Sequence, residues 1–261
     1  MPNAWFVSPP YFLALGFLSG VVGFRMGWRA KSRAWLPIVQ GVLGWGAFAL
    51  AWMFVGPAWA AATAGAWVLS STLVSIYVFS GHPKEADERV MRAAEYRSNM
   101  LDWLSTGRGP ESKPLATTIA HLRELIWYVA AAVATANLAS LVMGAVLLNY
   151  MNAYVATLLR AARRTGTVLL LGWNVWSVVR VAAYVVLGAA AAAPLLSWGG
   201  WPRDGAAVRR LAMAGAVGVV VDLLLKLALS RAAGRALAPA VDLEAARANR
   251  SAEGSLTLDL S

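Results

Sequence analysis

Apolar residues come in long blocks along this chain, separated by short polar stretches. The first block, 11–28, approaches the ~20 residues with which a helix crosses a ~30 Å hydrocarbon core. Trp5 and Trp28 stand near its ends as interfacial anchors. Arg25, Arg29, Lys31 and Arg33 follow, and then 34–83 carries no charge at all. Gly56-Pro57 divides that run, since this pair marks a turn and proline cannot continue a helix. The pattern predicts two spans, 35–55 and 59–80, joined tightly.

The segment 81–118 is polar. Glu85/Arg89 and Glu88/Arg92 have the favourable i,i+4 order. Val90, Met91, Ala94, Leu101 and Leu104 recur at roughly helical spacing, which predicts an amphipathic helix over 84–104. Such a helix lies on the membrane, caps the bundle, docks a partner or simply connects two spans. A flexible loop follows at 105–114.

The uncharged run 125–159 would be about 52 Å long as one helix, too long for an untilted crossing and short for two. Asn137 and Gly144 are the candidate turns. Charge arbitrates: with two crossings, 18 Lys/Arg fall inside and 3 outside, against 14 and 7 with one. Two more blocks, 165–201 and 211–229, complete the pattern. The expected fold is an all-α polytopic transmembrane bundle of about seven spans, six being the alternative, N-out and C-in. It forms one domain over 1–229, with an amphipathic cytoplasmic helix and loop at 81–118. The tail 230–261 is expected to start as a short cytoplasmic helix and end disordered.

Composition agrees. Of 261 residues, 59% are hydrophobic and 14% charged, with mean hydropathy +0.57, whereas soluble domains carry about 25% charged residues. The net charge of +10 sits in clusters at block ends, as cytoplasmic flanks do. It therefore points to the lipid bilayer and anionic lipid headgroups as partners, not to nucleic acid. A bacterial cytoplasmic (inner) membrane is the expected location. The opening MPNAWFVSPP lacks the basic region of a cleavable signal, so the first block is expected to remain as a helix.

Candidate chemistry centres on Arg180, the only charge in 165–201. Trp176 and Trp198 lie about 33 Å apart on a helix, one bilayer span. Taken as interfacial markers, they put Arg180 about one turn, ~6 Å, inside the inner face, where a guanidinium snorkels to the headgroups. Trp173, Ser177, Arg180 and Tyr184 step at helical spacing, with Asn174 beside them, and form a polar intramembrane stripe. Asp222 and Lys226 interrupt the last block, and Asp222 is a possible ion-pair partner for either Arg180 or Lys226. Gly16, Gly20, Gly23 and Gly27, and later Gly215 and Gly218, put small residues at helix-packing spacing.

Asp222 one turn before Lys226 is similar to the last helix of microbial rhodopsins, where such a lysine carries retinal. The likeness stops at two residues, because 60–80 lacks that family's charged set. HExxH, GxSxG and P-loop patterns are absent. His121-Leu-Arg-Glu124 reads as a solvated helix start, and two residues make no metal site. With no cysteine, thiol chemistry is excluded. No cofactor, metal or catalytic residue is expected. Two functions remain: a non-catalytic subunit or scaffold that assembles with other membrane proteins or itself, and a small permease or channel for an anionic solute along the Arg180 stripe. The first is preferred, because coupled transporters carry several midplane acids or broken helices.

Overall fold

A computed structural model describes residues 8–109, 112, 114–201 and 204–248, apart from the side chains of 114–117. Trp5 and the tail beyond 248 lie outside the described residues. The helices, in order, are α1 (Pro9–Arg29), α2 (Trp35–Val55), α3 (Pro57–Gly81), α4 (Pro83–Arg89), α5 (Ala93–Thr106) and α6 (Pro114–Thr135). Then come α7 (Leu138–Arg160), α8 (Thr165–Leu171), α9 (Val175–Trp198), α10 (Gly205–Leu237), a 3-10 turn (Ala238–Ala240) and α11 (Leu243–Ala248). Among the described residues, six helical segments are long and apolar enough to cross a membrane: α1, α2, α3, α7, α8 with α9, and α10 with its 3-10 turn. The chain is a multi-pass integral membrane protein, built as a helical bundle.

Glycine sets how closely the first three helices pack. A Cβ on Gly20 would come within 2.7 Å of the Trp67 carbonyl oxygen in α3, and one on Gly27 within 2.8 Å of Leu36 Cα in α2. Gly16 faces α3 and Gly23 faces α2 in the same way. At the other side of the bundle, a Cβ on Gly218 would lie 2.9 Å from that of Ala183 in α9, and Gly215 abuts Val186 and Leu187. All six of these glycines thus serve contacts within the chain.

The run 125–159 doubles back. Its two halves are α6 and α7, which pack antiparallel, with the ring of Tyr128 4.0 Å from where a Gly144 Cβ would be. Of the two candidate turns the chain uses Asn137. Ala136 and Asn137 have φ of 49° and 76°, left-handed conformations that are unfavourable for residues other than glycine. Two hydrogen bonds hold them: across the bundle Trp45 Nε1 donates to the Ala136 carbonyl at 2.8 Å, and locally Ser140 Oγ donates to that of Asn137 at 2.9 Å. The Ala139 N–H donates to Thr135 Oγ1 at 2.9 Å.

This turn is buried, with Asn137 at 0% exposure. A Cβ on Gly188 would lie 2.6 Å from Asn137 Oδ1, which places the turn about 15 Å short of the Trp198 end of α9. Non-helical backbone at membrane depth is tolerated only where protein surrounds it. Here Trp45, Ser140 and α9 supply that surrounding.

The chain crosses the polar segment by two helices where one over 84–104 was expected. Arg92 adopts φ 62° and turns the chain between α4 and α5. Glu85 and Arg89 pair at 2.7 Å, but the expected Glu88–Arg92 pair does not form. The turn swings Arg92 to Glu95 at 3.4 Å, and the Glu88 carbonyl accepts from Arg33. Val90, Met100, Leu101 and Leu104 are buried, so α4 and α5 cap the end of the bundle that carries the basic clusters, called here the basic end. Tyr96 of α5 packs 4.6 Å from Tyr150 of α7 between ring centres.

The start of the tail is ordered by the same end. The Arg163 N–H donates to the Ala240 carbonyl at 2.8 Å, and that of Asp242 to Ala161 at 2.7 Å. These bonds surround an isolated antiparallel bridge, Ala162–Val241.

Candidate functional site

Helix α9 begins later than the stripe expected of it. Residues 172–174 form a turn between α8 and α9, and this takes Trp173 off the helix. Its indole Nε1 donates instead to Asn152 Oδ1 of α7 at 2.9 Å. Asn174 caps α9, its carbonyl accepting from the Ser177 N–H at 2.8 Å. Trp176 is fully buried, so it anchors in the core and not at an interface, and the tryptophan ruler loses its inner mark. What remains on one face of α9 is Ser177, Arg180 and Tyr184.

Arg180 does not snorkel. Its Nε donates to Asp222 Oδ2 at 2.9 Å and its Nη2 to Oδ1 at 3.0 Å, the bidentate geometry that matches guanidinium to carboxylate. Gly218 makes this reach possible by letting α10 lie against Ala183, one turn before Asp222. The third nitrogen, Nη1, is 3.0 Å from His121 Nε2 in α6. Arginine only donates, so Nε2 accepts and the imidazole proton sits on Nδ1. That Nδ1 is buried without a hydrogen-bond partner among the described residues. Tyr184 Oη donates to the His121 carbonyl at 3.2 Å. Lys226 is buried one turn beyond Asp222.

Ser177, Arg180 and Tyr184 of α9 border a cleft of about 210 Å³ at the basic end, with Arg92 and Tyr96 on the α5 side, Tyr150 on α7, and His121 and Glu124 on α6. Glu124 makes no ion pair among the described residues. Immediately above, beyond the shared Leu147, Val181 and Tyr184, lies a gap of only about 30 Å³ lined by Trp67, Leu141, Leu148 and Val185. A polar cleft thus ends under an apolar core.

A second polar layer ties α2, α3 and α7 together. Asn149 Nδ2 donates to Gln40 Oε1 at 2.7 Å, and Asn152 Nδ2 to Ser75 Oγ at 2.6 Å. Amide-to-amide and amide-to-hydroxyl bonds of this kind fasten helices in a medium that offers no competing water.

Among the stripe and ion-pair candidates, Ser177, Arg180, Tyr184 and Asp222 come together, and Lys226 is buried on the face of α10 that carries Asp222. Trp173 joins the second layer. Sequence reasoning set aside His121 and Glu124 as a solvated helix start, saw Asn149 only as a polar residue of the 125–159 run, and overlooked Gln40. The i,i+3 spacing of His121 and Glu124 directly before an apolar run was the available signal. Solvent was assumed where α5 and α9 stand. Among the described residues, no three His, Cys, Asp or Glu side chains gather as a metal site.

No protein-family model matches the sequence, and neither a curated protein nor a solved structure does.

Proposed function

We propose that this chain is a non-catalytic subunit or scaffold that assembles with other membrane proteins in a bacterial cytoplasmic membrane, its basic end inside. The observation that supports this most is the pairing of Arg180. A binding residue for an anionic solute needs a cation ready to receive it, whereas this guanidinium already holds Asp222 through two nitrogens and His121 through the third. The apolar layer above the cleft supports the same reading. The partner surface we assign is an apolar groove of about 590 Å³ between α3 and α9, lined by Ala58, Ala61, Ala62, Gly65, Val178 and Ala182 among others. Small residues let a second helix backbone approach closely. Since the packing glycines of α1 and α10 are engaged internally, this groove takes the assembly role first expected of them.

A second reading, a permease for a small anionic solute, draws on the cleft itself, where Arg92, Arg180, Ser177 and Tyr184 are lining groups. One pair of experiments separates the two. Gentle solubilisation of the tagged protein should bring down a stoichiometric membrane partner, and Ala61→Leu with Gly65→Leu should lose it. Uptake of an anion into proteoliposomes of the purified chain alone, abolished by Arg180→Gln, would overturn the scaffold reading in favour of the permease.

A further inference from the structure

Arg231 and Arg235 stand one turn apart near the end of α10. Both are exposed, and neither lies within ion-pair distance of a carboxylate among the described residues. Asp102 of the neighbouring α5 is engaged elsewhere, with Arg247 at 3.1 Å. Between the two helices is a cleft of about 690 Å³, walled by Trp103 and Leu104 and bordered by both arginines. Gly234 shapes it: a Cβ there would lie 2.9 Å from the Trp103 ring, so only glycine lets the indole close the cleft against α10.

The face of α10 leading to this cleft is bare. Met213, Val217, Val220, Leu224 and Leu227 are each more than half exposed, and their spacing continues by one further step to Arg231, so they form a single face. Inside hydrocarbon such a face meets acyl chains. Here it ends at two guanidiniums, a tryptophan and an open cleft.

We propose that the cleft binds an anionic phospholipid from the leaflet at the basic end. The phosphate sits between Arg231 and Arg235, and one acyl chain runs along the Leu227–Leu224–Val220 face. Charge complementarity selects this occupant. Two arginines side by side match a phosphate, and basic pockets at the ends of membrane helices draw anionic headgroups. A zwitterionic lipid would present its own cation to the same guanidiniums. A soluble anion gains nothing from the apolar face. The site is separate from the Arg180 cleft and stands whether or not the chain assembles with others.

The test uses full-length protein in neutral detergent, with binding of phosphatidylglycerol and phosphatidylcholine read by native mass spectrometry. Phosphatidylglycerol should bind more tightly, and R231Q/R235Q should weaken it about tenfold while leaving phosphatidylcholine unchanged. R209Q/R210Q, at the other end of α10, should change neither. An equal loss in both double variants, or no loss in R231Q/R235Q, would overturn the proposal. So would displacement by millimolar inorganic phosphate as effective as that by the lipid, which would make this a soluble-anion site.

Discussion

Arg180→Gln withdraws two charge-assisted hydrogen bonds from a carboxylate that is 2% exposed. Removing one partner of a buried pair costs about 3–5 kcal/mol, because the other charge stays behind. Denaturant unfolding of the variant should show that loss, and Arg180→Gln with Asp222→Asn should recover part of it. A single variant as stable as the parent would mean that the pair does not hold α9 to α10. Asp242 works outside the bundle. Its carboxyl is held below the usual carboxylate range, first by the Ala245 N–H and then by Arg163. A lowered folded pKa stabilises above the unfolded value, about 3.9, and that contribution disappears as pH falls through the folded one. The segment 238–248 should therefore lose amide-exchange protection, taken relative to the intrinsic exchange rate at each pH, as pH falls below the unfolded value, and Asp242→Asn should flatten that dependence.

For the elements, glycine decides contact distance. Gly20→Ala and Gly27→Ala push a methyl group into backbone atoms 2.7–2.8 Å away, and overpacking of this kind costs about 1–3 kcal/mol. Gly46 lies on α2, the helix that Gly27 meets, and a Cβ there would find nothing within 4 Å. Gly46→Ala should therefore be neutral or slightly stabilising through helix propensity. Thermal unfolding of the three variants checks both directions. The polar segment departed from its expected form, two helices standing where one over 84–104 was expected, whereas 125–159 turned at Asn137, one of its two candidate positions. Arg92, and Ala136 with Asn137, occupy left-handed conformations that no glycine announces. Arg92 is met by Glu95 three residues on, whereas the turn at 136–137 is held by a residue distant in sequence, Trp45, which reaches the Ala136 carbonyl.

Over the described residues, helix order puts 30–34, 82–109 and 161–174 at the basic end, with Gly56 and 199–201 at the other. Because the chain has no cysteine, single cysteines report these positions directly. Cysteines at 31 and 108 should react with an impermeant maleimide from one side of the membrane and cysteines at 56 and 200 from the other. Asn137→Cys should react from neither until the protein is unfolded, because the α6–α7 turn is enclosed. Labelling at 137 from the side of Gly56 would show instead that the hairpin reaches the far surface.

How much of this was legible beforehand depended on the range of the forces involved. Hydrophobic length and proline are local signals, so α2 appears at the bounds read from the sequence, and α1 and α3 differ only by a few residues at their ends. The membrane character and the basic flanks were equally plain, because burying apolar length in lipid needs no knowledge of neighbours. Partnership is not local. Whether Arg180 reached for water or for Asp222 depended on how closely α10 approaches α9, which Gly218 and Ala183 set. Whether His121 was solvated depended on α9 and the capping α5. A charge in a membrane must find some partner; the sequence alone determined that the demand existed, and only the tertiary structure decided which side chain meets it.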